Sequence, residues 1–118
     1  MHRYKELKVW QKAIDLAVEV YQVTEKLPKE ERYGLISQIN RCVISIPSNI
    51  AEGAGRNTDK DFNHFLGIAQ GSSFELDTQL VISNRLNFIN SQDFEKLELE
   101  LDHIQNMIAK LKQSLNVK

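Results

Sequence analysis

The sequence predicts an all-α fold, an antiparallel up-down-up-down four-helix bundle in which residues 1–118 form a single domain. Apolar residues recur at helical spacing in four long segments, which run near 5–27, 29–52, 58–87 and 91–116. Turn-forming residues separate these segments and leave only short connections. Short connections make consecutive helices antiparallel neighbours, which is the arrangement of an up-down bundle. A length of 118 residues also agrees with one domain.

The first segment carries two apolar stripes rather than one. We assign one stripe to the core, and its members are Leu7, Trp10, Ile14, Ala17, Val18 and Tyr21. At about 100° per residue the second stripe lies roughly 120° away. The second stripe consists of Val9, Ala13, Leu16, Val20, Val23 and Leu27. Because a helix that is apolar on two faces is usually buried on both sides, we expect the second stripe to contact other copies of the chain.

Three further apolar residues are expected to point away from the core and to join this oligomer interface, namely Phe74, Val81 and Leu99. The alternative is that all of these side chains are scattered surface hydrophobes, which are normal on proteins. A whole stripe on one helix favours self-association over that alternative.

The other three segments each carry one apolar stripe. The predicted core residues are Leu35, Ile39, Cys42, Val43, Ile46 and Ile50 in the second segment, Phe62, Phe65, Leu66, Ala69, Leu76 and Leu80 in the third, and Phe94, Leu97, Leu101, Ile104, Ile108, Leu111 and Leu115 in the fourth. Capping residues agree with these segments. Thr58 with Asp61 resembles a capping box, and Asn90 or Ser91 can cap the fourth helix.

A proline stands inside the second apolar segment. Pro47 removes one helical hydrogen bond and clashes with the carbonyl four residues earlier, at a cost of about 3 kcal/mol. We expect the chain to tolerate a kink there, with Asn49 placed to satisfy backbone groups that the proline frees. Gly53 and Gly55 follow and end the helix. Glycine inside a helix lowers its stability, so we also expect another backbone to pack closely at Gly67 and Gly71.

Polar side chains form a stripe on the second helix and another on the third. Their members are Gln38, Arg41, Ser45, Ser48 or Asn49, and Glu52 on the second helix, and Ser72, Ser73, Glu75 and Gln79 on the third. Antiparallel counting places Arg41 within about a turn and a half of Glu75. Because an unpaired buried charge is costly, we expect these two side chains to make a buried or interfacial contact. The alternative is that they are two solvated charges on separate faces.

The sequence contains no motif that assembles a catalytic site. It has no nucleophile elbow, phosphate loop, zinc spacing or dinucleotide fingerprint. The histidines of the pairs Glu100–His103 and Asp61–His64 would lie roughly 16 Å apart along the bundle, so we expect no metal site and no cofactor. One cysteine cannot form an intramolecular disulfide. With no secretory signal and no run of about 18 apolar residues, a cytoplasmic protein without a membrane contact is expected.

Charge is distributed unevenly along the predicted bundle. The formal net charge of −1 argues against a general nucleic-acid coat protein. One end nevertheless gathers basic residues, and the candidate nucleic-acid-binding side chains are Arg3, Lys5, Lys8, Lys12, Arg56, Lys60, Lys110 and Lys112. The start of the fourth helix is acidic. In a symmetric ring the basic ends would attract phosphate, whereas the alternative is that lysines near a helix C-terminus only complement the helix dipole.

Four stretches of the chain resemble a known family. They are residues 7–13 (LKVWQKA), 34–41 (GLISQINR), 45–53 (SIPSNIAEG) and 69–76 (AQGSSFEL). These stretches resemble the bacterial four-helix bundle proteins encoded by intervening sequences of 23S ribosomal RNA genes, which are sometimes labelled ribosomal proteins. The resemblance spans nearly the whole chain and implies a four-helix bundle that forms a ring-like homo-oligomer, a homopentamer.

The family is also similar to the accessory protein of diversity-generating retroelements, a basic pentamer that binds nucleic acid and a reverse transcriptase. The present chain departs from that relative because it is nearly neutral. The resemblance supplies no active site. The matching motif positions are expected to hold helices 2 and 3 together, and they are Gln38, Arg41, Ser45, Pro47, Asn49, Glu52, Gly53, Gly71 and Glu75.

Together these observations favour a non-enzymatic homo-oligomeric bundle that binds structured RNA or other nucleic acid through one basic end. The alternative is an oligomeric protein-binding scaffold that binds no nucleic acid. In that case outward apolar residues or the acidic end would recruit a protein partner.

Overall fold

A computed structural model describes residues 2–117, and it is all-helical. Four α-helices follow one another: α1 (Lys8–Thr24), α2 (Leu35–Ala54), α3 (Asp59–Arg85) and α4 (Ser91–Ser114). Short 3-10 turns cover Tyr4–Glu6 and Lys29–Glu31. No strand occurs within the described residues, so the predicted all-α class and the four helices are confirmed.

The second helix begins later than predicted. Pro28 accepts a hydrogen bond from the amide of Glu31 and starts the 3-10 turn instead of a continuous helix. Gly34 then adopts φ −109° and ψ −107°, outside the helical region, directly before α2. The predicted segment 29–52 is therefore a turn followed by a helix that starts at Leu35.

Two predicted caps are confirmed. Thr58 Oγ1 accepts a hydrogen bond of 3.1 Å from the amide of Asp61 at the start of α3. Asn90 Oδ1 accepts one of 2.7 Å from the amide of Asp93 at the start of α4. Asn87 lies between these helices at φ 64°, in the left-handed region that asparagine tolerates better than most residues.

The four helices enclose one hydrophobic core. Helix α1 contacts α2 and α4, and α3 contacts the same two helices. The stripes predicted for α2, α3 and α4 face this core. Their fully buried members include Ile39, Ile46, Ile50, Phe62, Leu66, Leu76, Leu80, Leu97, Leu101, Ile104 and Ile108.

The predicted assignment of the two α1 stripes is wrong. The stripe expected at the oligomer interface faces the core, and the stripe expected in the core lies nearer to solvent. The residues expected at an oligomer interface are buried within one chain, and these are Val9, Ala13, Leu16, Val20, Val23 and Leu27. The stripe expected in the core lies further out: Val18 is 54% exposed and Tyr21 is 41% exposed, while Trp10 and Ile14 are half-buried. Aliphatic residues thus fill the interior, while the stripe with aromatic rings that carry polar atoms lies nearer to solvent.

Pro47 is buried in α2, and the helix continues past it to Ala54. The missing N–H is the one that would bond the carbonyl of Val43. The Asn49 side chain donates instead to the carbonyl oxygen of Ser45 at 2.8 Å and to the Ser45 hydroxyl at 3.0 Å. Asn49 therefore does not replace the lost bond, contrary to the expectation, and braces the neighbouring turn of α2.

The predicted close contact at Gly71 is wrong. Gly71 is exposed, and a methyl group added there would meet no atom within 4 Å. A methyl group at Gly67 would come within 3.3 Å of Lys112 Nζ. The tight approach is at Gly53, where an added Cβ would lie 2.7 Å from Phe65 Cβ and 2.9 Å from Phe62 Cδ1. Gly53 therefore permits the close packing of the end of α2 against the first turns of α3.

Candidate functional site

The start of the chain, the α2–α3 connection and the end of α4 meet at one end of the molecule. The amide of His2 donates to the carbonyl oxygen of Ala54 at 2.8 Å, and the rings of His2 and Phe62 are 5.0 Å apart. The amide of Asn116 donates to Asp59 Oδ2 at 3.1 Å. We call this region the basic end, because these three segments carry the basic residues proposed from the sequence, Arg3, Lys5, Lys8, Lys12, Arg56, Lys60, Lys110 and Lys112.

Most of the basic end is free of ion pairs. Arg3 lies 3.6 Å from Glu6, and Arg56 lies 3.2 Å from Glu52 while its guanidinium covers the ring of Phe65. Within residues 2–117 the remaining basic side chains of this end form no ion pair, and these are Lys5, Lys8, Lys12, Lys60, Lys110 and Lys112. All of these six except Lys112 are exposed. Their charges are available to an external anion.

The acidic start of α4 is partly neutralised within the chain. Lys26 Nζ lies 3.1 Å from Asp93 Oδ2, and Lys96 Nζ lies 3.3 Å from Glu19 Oε1. Both pairs join α1 to α4. Among the acidic residues at the start of α4 only Asp93 forms an ion pair within the described residues, so the uneven charge distribution predicted from the sequence persists.

Two carboxyl pairs flank α4 beyond these ion pairs. Burial, a hydrogen bond with Asp77 and the charge of Asp77 raise the pKa of Glu98 to about 7. On the opposite flank, burial, a hydrogen bond with Glu19 and the charge of Glu19 raise the pKa of Glu100 to about 7. One oxygen of Asp77 and one of Glu19 are buried without a hydrogen-bond partner, and a proton on the neighbouring glutamate would supply a donor to each pair.

These pairs predict a stability that falls as the pH rises from about 4.5 to about 7. In that interval the folded chain binds more protons than the unfolded chain, so deprotonation favours unfolding. Because the carboxyls are only half-buried and solvent screens them, each pair should contribute from a few tenths to about 1 kcal/mol. Urea unfolding at pH 5 and at pH 8 measures the effect.

The matched variants for this measurement are Glu98→Gln and Glu100→Gln. Each should reduce the loss of stability between the two pH values, because an amide can donate to the neighbouring carboxylate at both. Glu95→Gln on the exposed side of α4 removes the same charge away from these pairs and should leave the difference unchanged. An equal pH dependence in all four proteins would contradict the assignment.

A polar groove of about 260 Å³ runs between α2 and α3. Its lining residues are Gln38, Arg41, Cys42, Ser45, Ser72, Glu75 and Gln79. The Ser45 and Ser72 hydroxyls lie 2.8 Å apart, and the Cys42 thiol donates to Glu75 Oε2 at 3.3 Å. The groove therefore joins the two polar stripes noted in the sequence.

The predicted contact between Arg41 and Glu75 does not form, although both residues lie at the same groove. Both side chains line the groove, but both are exposed, and neither takes part in any ion pair within the described residues. The thiol of Cys42 takes the place that Arg41 was expected to fill. A thiol is a weak donor, so Glu75 keeps most of its capacity to accept hydrogen bonds.

Cys42 is not a reactive thiol. Burial, together with the hydrogen bond to Glu75 and the charge of Glu75, raises its pKa to about 11. The thiolate is the nucleophilic form of cysteine, and this environment disfavours it. The groove therefore offers no activated thiol nucleophile.

Gln79 belongs to the polar stripe that the sequence predicts on the third helix, and it lines the groove. Ser72, Glu75 and Gln79 recur at three and four residues along α3 and so share a face. The burial of Gln79, which is 8% exposed and whose Oε1 has no hydrogen-bond partner, was not predicted.

The motif positions fall into three groups in the structure. Gln38, Arg41, Ser45 and Glu75 line the polar groove, while Pro47 and Gly53 are buried. Asn49 bonds the Ser45 carbonyl, Glu52 pairs with Arg56, and Gly71 is exposed.

The other apolar residues assigned to the oligomer interface differ in exposure, and their contact with another copy of the chain stays a prediction. Leu99 is 78% exposed and Phe74 is 54% exposed, whereas Val81 is half-buried. The exposed apolar residues of the neighbouring helices α1 and α2 are Val18, Tyr21 and Ile44.

Within residues 2–117, no three His, Cys, Asp or Glu side chains lie close enough together to hold a metal ion. None of the helices formed by these residues has the length and apolar character that a membrane span requires.

Comparisons with known proteins agree with this architecture. A crystal structure of a protein with unknown function from the S23 ribosomal protein family of Bacteroides thetaiotaomicron is similar, with a TM-score of 0.83 and 23% sequence identity over 90% of this chain and 96% of that one. At that identity the similarity concerns the fold. No curated protein matches the sequence. The family model described as 23S rRNA-intervening sequence protein matches residues 5–110, and the chain therefore belongs to that family.

Proposed function

We propose that this chain is a non-enzymatic, self-associating four-helix bundle that binds structured RNA through its basic end. The observation that carries the proposal is the set of lysines at that end without ion pairs. RNA presents a dense array of phosphates, and lysines that are not already paired gain most from neutralising them. Family membership and the predicted charge asymmetry support the same conclusion.

The nearly neutral overall charge limits the kind of binding expected. With acidic residues elsewhere on the surface, the whole chain has little general attraction for polyanions. A folded RNA can instead contact the basic end alone, while its remaining surface stays away from the acidic start of α4. We therefore expect contacts with several phosphates rather than a coat along the nucleic acid.

The up-down-up-down order and self-association belong to the same proposal. The order is supported by contacts whose residue numbers run in opposite directions: Cys42 with Glu75 and Ser45 with Ser72 join α2 to α3. Self-association is supported by the apolar residues Val18, Tyr21 and Ile44 on the outer side of α1 and α2. Light scattering tests it, because one chain has a mass of 13.6 kDa. A monomeric mass would contradict this part of the proposal.

Fluorescence anisotropy tests the RNA-binding proposal directly. A labelled structured RNA and a duplex DNA of similar length are titrated at about 50 and 200 mM salt. A protein that neutralises several phosphates should lose about a hundredfold or more in affinity across this range. Stronger binding to RNA than to DNA supports the proposal, and no binding at the lower salt would contradict it.

A protein-binding scaffold is the second candidate, and one observation favours it. Phe74 on α3 and Leu99 on α4 are both exposed, and aromatic side chains such as Phe74 are enriched at protein interfaces. Retrieval of one specific protein after nuclease treatment, lost on Leu99→Ser, would favour the scaffold.

A further inference from the structure

Helix α4 is the least buried helix of the bundle. Four of its 24 residues are buried, against six of 17 in α1, eight of 20 in α2 and eight of 27 in α3. A helix in a protein is stabilised mainly by the packing of its apolar face, so α4 is held less firmly per residue than the other three. Segments with few buried residues open at a lower free energy than the whole molecule unfolds.

The contacts of α4 with α1 and α3 also leave polar atoms without partners. Within residues 2–117, four buried side-chain atoms have no hydrogen-bond partner, and three of them belong to α4 or to residues beside it. These three are Glu19 Oε2 on α1, Asp77 Oδ1 on α3 and Gln105 Nε2 on α4 itself. An unsatisfied buried atom disfavours the closed structure, because water can reach the atom once the helix opens.

An open cavity of about 430 Å³ lies between α1 and α4, and Glu19 and Glu100 are among its lining residues. Side chains beside a cavity lack packing partners on one side, so the contact of α4 with α1 is loose. The contact of α2 with α3 is different. Gly53 allows these two helices to approach closely, and two side-chain hydrogen bonds join them.

Two carboxyl pairs flank the middle of α4. Glu98 pairs with Asp77 of α3, and Glu100, about half a turn further along, pairs with Glu19 of α1. A proton within each pair supplies a donor between two groups that otherwise only accept hydrogen bonds. Without that proton each pair consists of two negative charges, which repel each other across the contact of α4 with its neighbour.

The surroundings of the two pairs determine when these protons leave. Burial and the paired carboxylate raise the pKa of Glu98 and of Glu100 to about 7. The further charged groups beside the pairs come from α1 and from α4 itself, and they are Lys12, Asp15, Lys96, Asp102 and His103. The protons are therefore present at pH 5 and largely absent at pH 8.

We propose that α4 opens as a separate unit from a body formed by α1, α2 and α3, and that the protons of the two carboxyl pairs keep it closed. Opening exposes the buried residues of α4, which are Leu97, Leu101, Ile104 and Ile108. Loss of the protons near neutral pH raises the open fraction, so the two pairs act as a pH-sensitive conformational switch. This switch does not depend on RNA binding at the basic end.

Native-state hydrogen exchange at pH 5 and pH 8, measured by mass spectrometry of peptides from α2 and α4, tests the proposal. Protection factors correct for the intrinsic effect of pH on exchange. At both pH values α4 should be less protected than α2 and should depend less steeply on low concentrations of urea, because only part of the chain unfolds. From pH 5 to pH 8 the protection of α4 should fall about 3- to 30-fold, the combined effect of two partly screened carboxyl pairs.

The double variant Glu98→Gln/Glu100→Gln should remove most of this fall, because an amide donates a hydrogen bond at both pH values. Glu95→Gln is the matched control, since it removes an exposed carboxylate of α4 away from both pairs, and it should keep the fall. The comparison of α4 with α2 in the wild type needs no variant, so it stays decisive if the double variant does not fold.

Three results would overturn the proposal. Equal protection and equal urea dependence of α2 and α4 would show that the molecule opens only as a whole. Protection of α4 that is the same at pH 5 and pH 8 would show that the carboxyl protons do not control the opening. A fall in protection that the double variant retains in full would assign the pH dependence to other groups.

Discussion

Joint replacement of Lys8, Lys12 and Lys110 by Glu should lower the affinity for structured RNA by at least about a hundredfold at about 50 mM salt. These exposed lysines lie at the basic end without ion pairs, so their reversal removes attraction and adds repulsion. Lys112 is left unchanged because it is half-buried against Gly67, and its replacement could disturb the packing of α4 on α3. Anisotropy with the labelled RNA gives the affinity.

A matched control reverses the same number of charges at the opposite end. Lys29, Arg32 and Arg85 are exposed and form no ion pair within the described residues. Their joint replacement by Glu changes the net charge equally but should weaken RNA binding far less. If both triple variants lose affinity to the same extent, only the overall charge matters, and the basic end is not the site.

Replacement by alanine should have opposite effects on the stability of the protein at two glycines, Gly53 in α2 and Gly71 in α3. At Gly53 the new Cβ would lie 2.7 Å from Phe65 Cβ and 2.9 Å from Phe62 Cδ1, so the helices must move apart. Such overpacking costs about 1–3 kcal/mol. At Gly71 the new Cβ meets nothing within 4 Å, and alanine should stabilise the helix by about 0.5–1 kcal/mol.

Urea unfolding of Gly53→Ala and Gly71→Ala beside the wild type measures these differences. Each variant serves as the control of the other, because the chemical change is identical and only the surroundings differ. A stability change of the same sign at both positions would show that helix propensity, rather than the close contact at Gly53, decides the outcome.

Helical periodicity predicted most of the fold, and it failed where two faces of one helix were equally apolar. In α2, α3 and α4 a single stripe left no choice, and residues such as Ile46 and Leu101 are buried as predicted. In α1 the spacing alone could not decide which stripe faces inward. The distinction lies in side-chain chemistry, because Trp10 and Tyr21 carry polar atoms that favour a position near water whereas Leu16 and Val20 carry none.

The candidate site was predictable in its charges but not in its hydrogen bonds. Helix ends follow from the sequence, so the basic end could be assembled from residue numbers. The polar groove depends on side-chain distances, since Arg41 and Glu75 share a groove yet do not pair. The burial of Gln79 also depends on how closely α2 and α3 approach, which the sequence does not specify.

The single cysteine has one further consequence. Cys42 is buried against α3, so we expect its thiol to react faster when α2 and α3 separate. The rate of thiol labelling at high reagent concentration therefore follows the opening of this helix pair, with no second cysteine to complicate the signal. Any occupant that joins the two helices should slow that labelling without a change in the thiol itself.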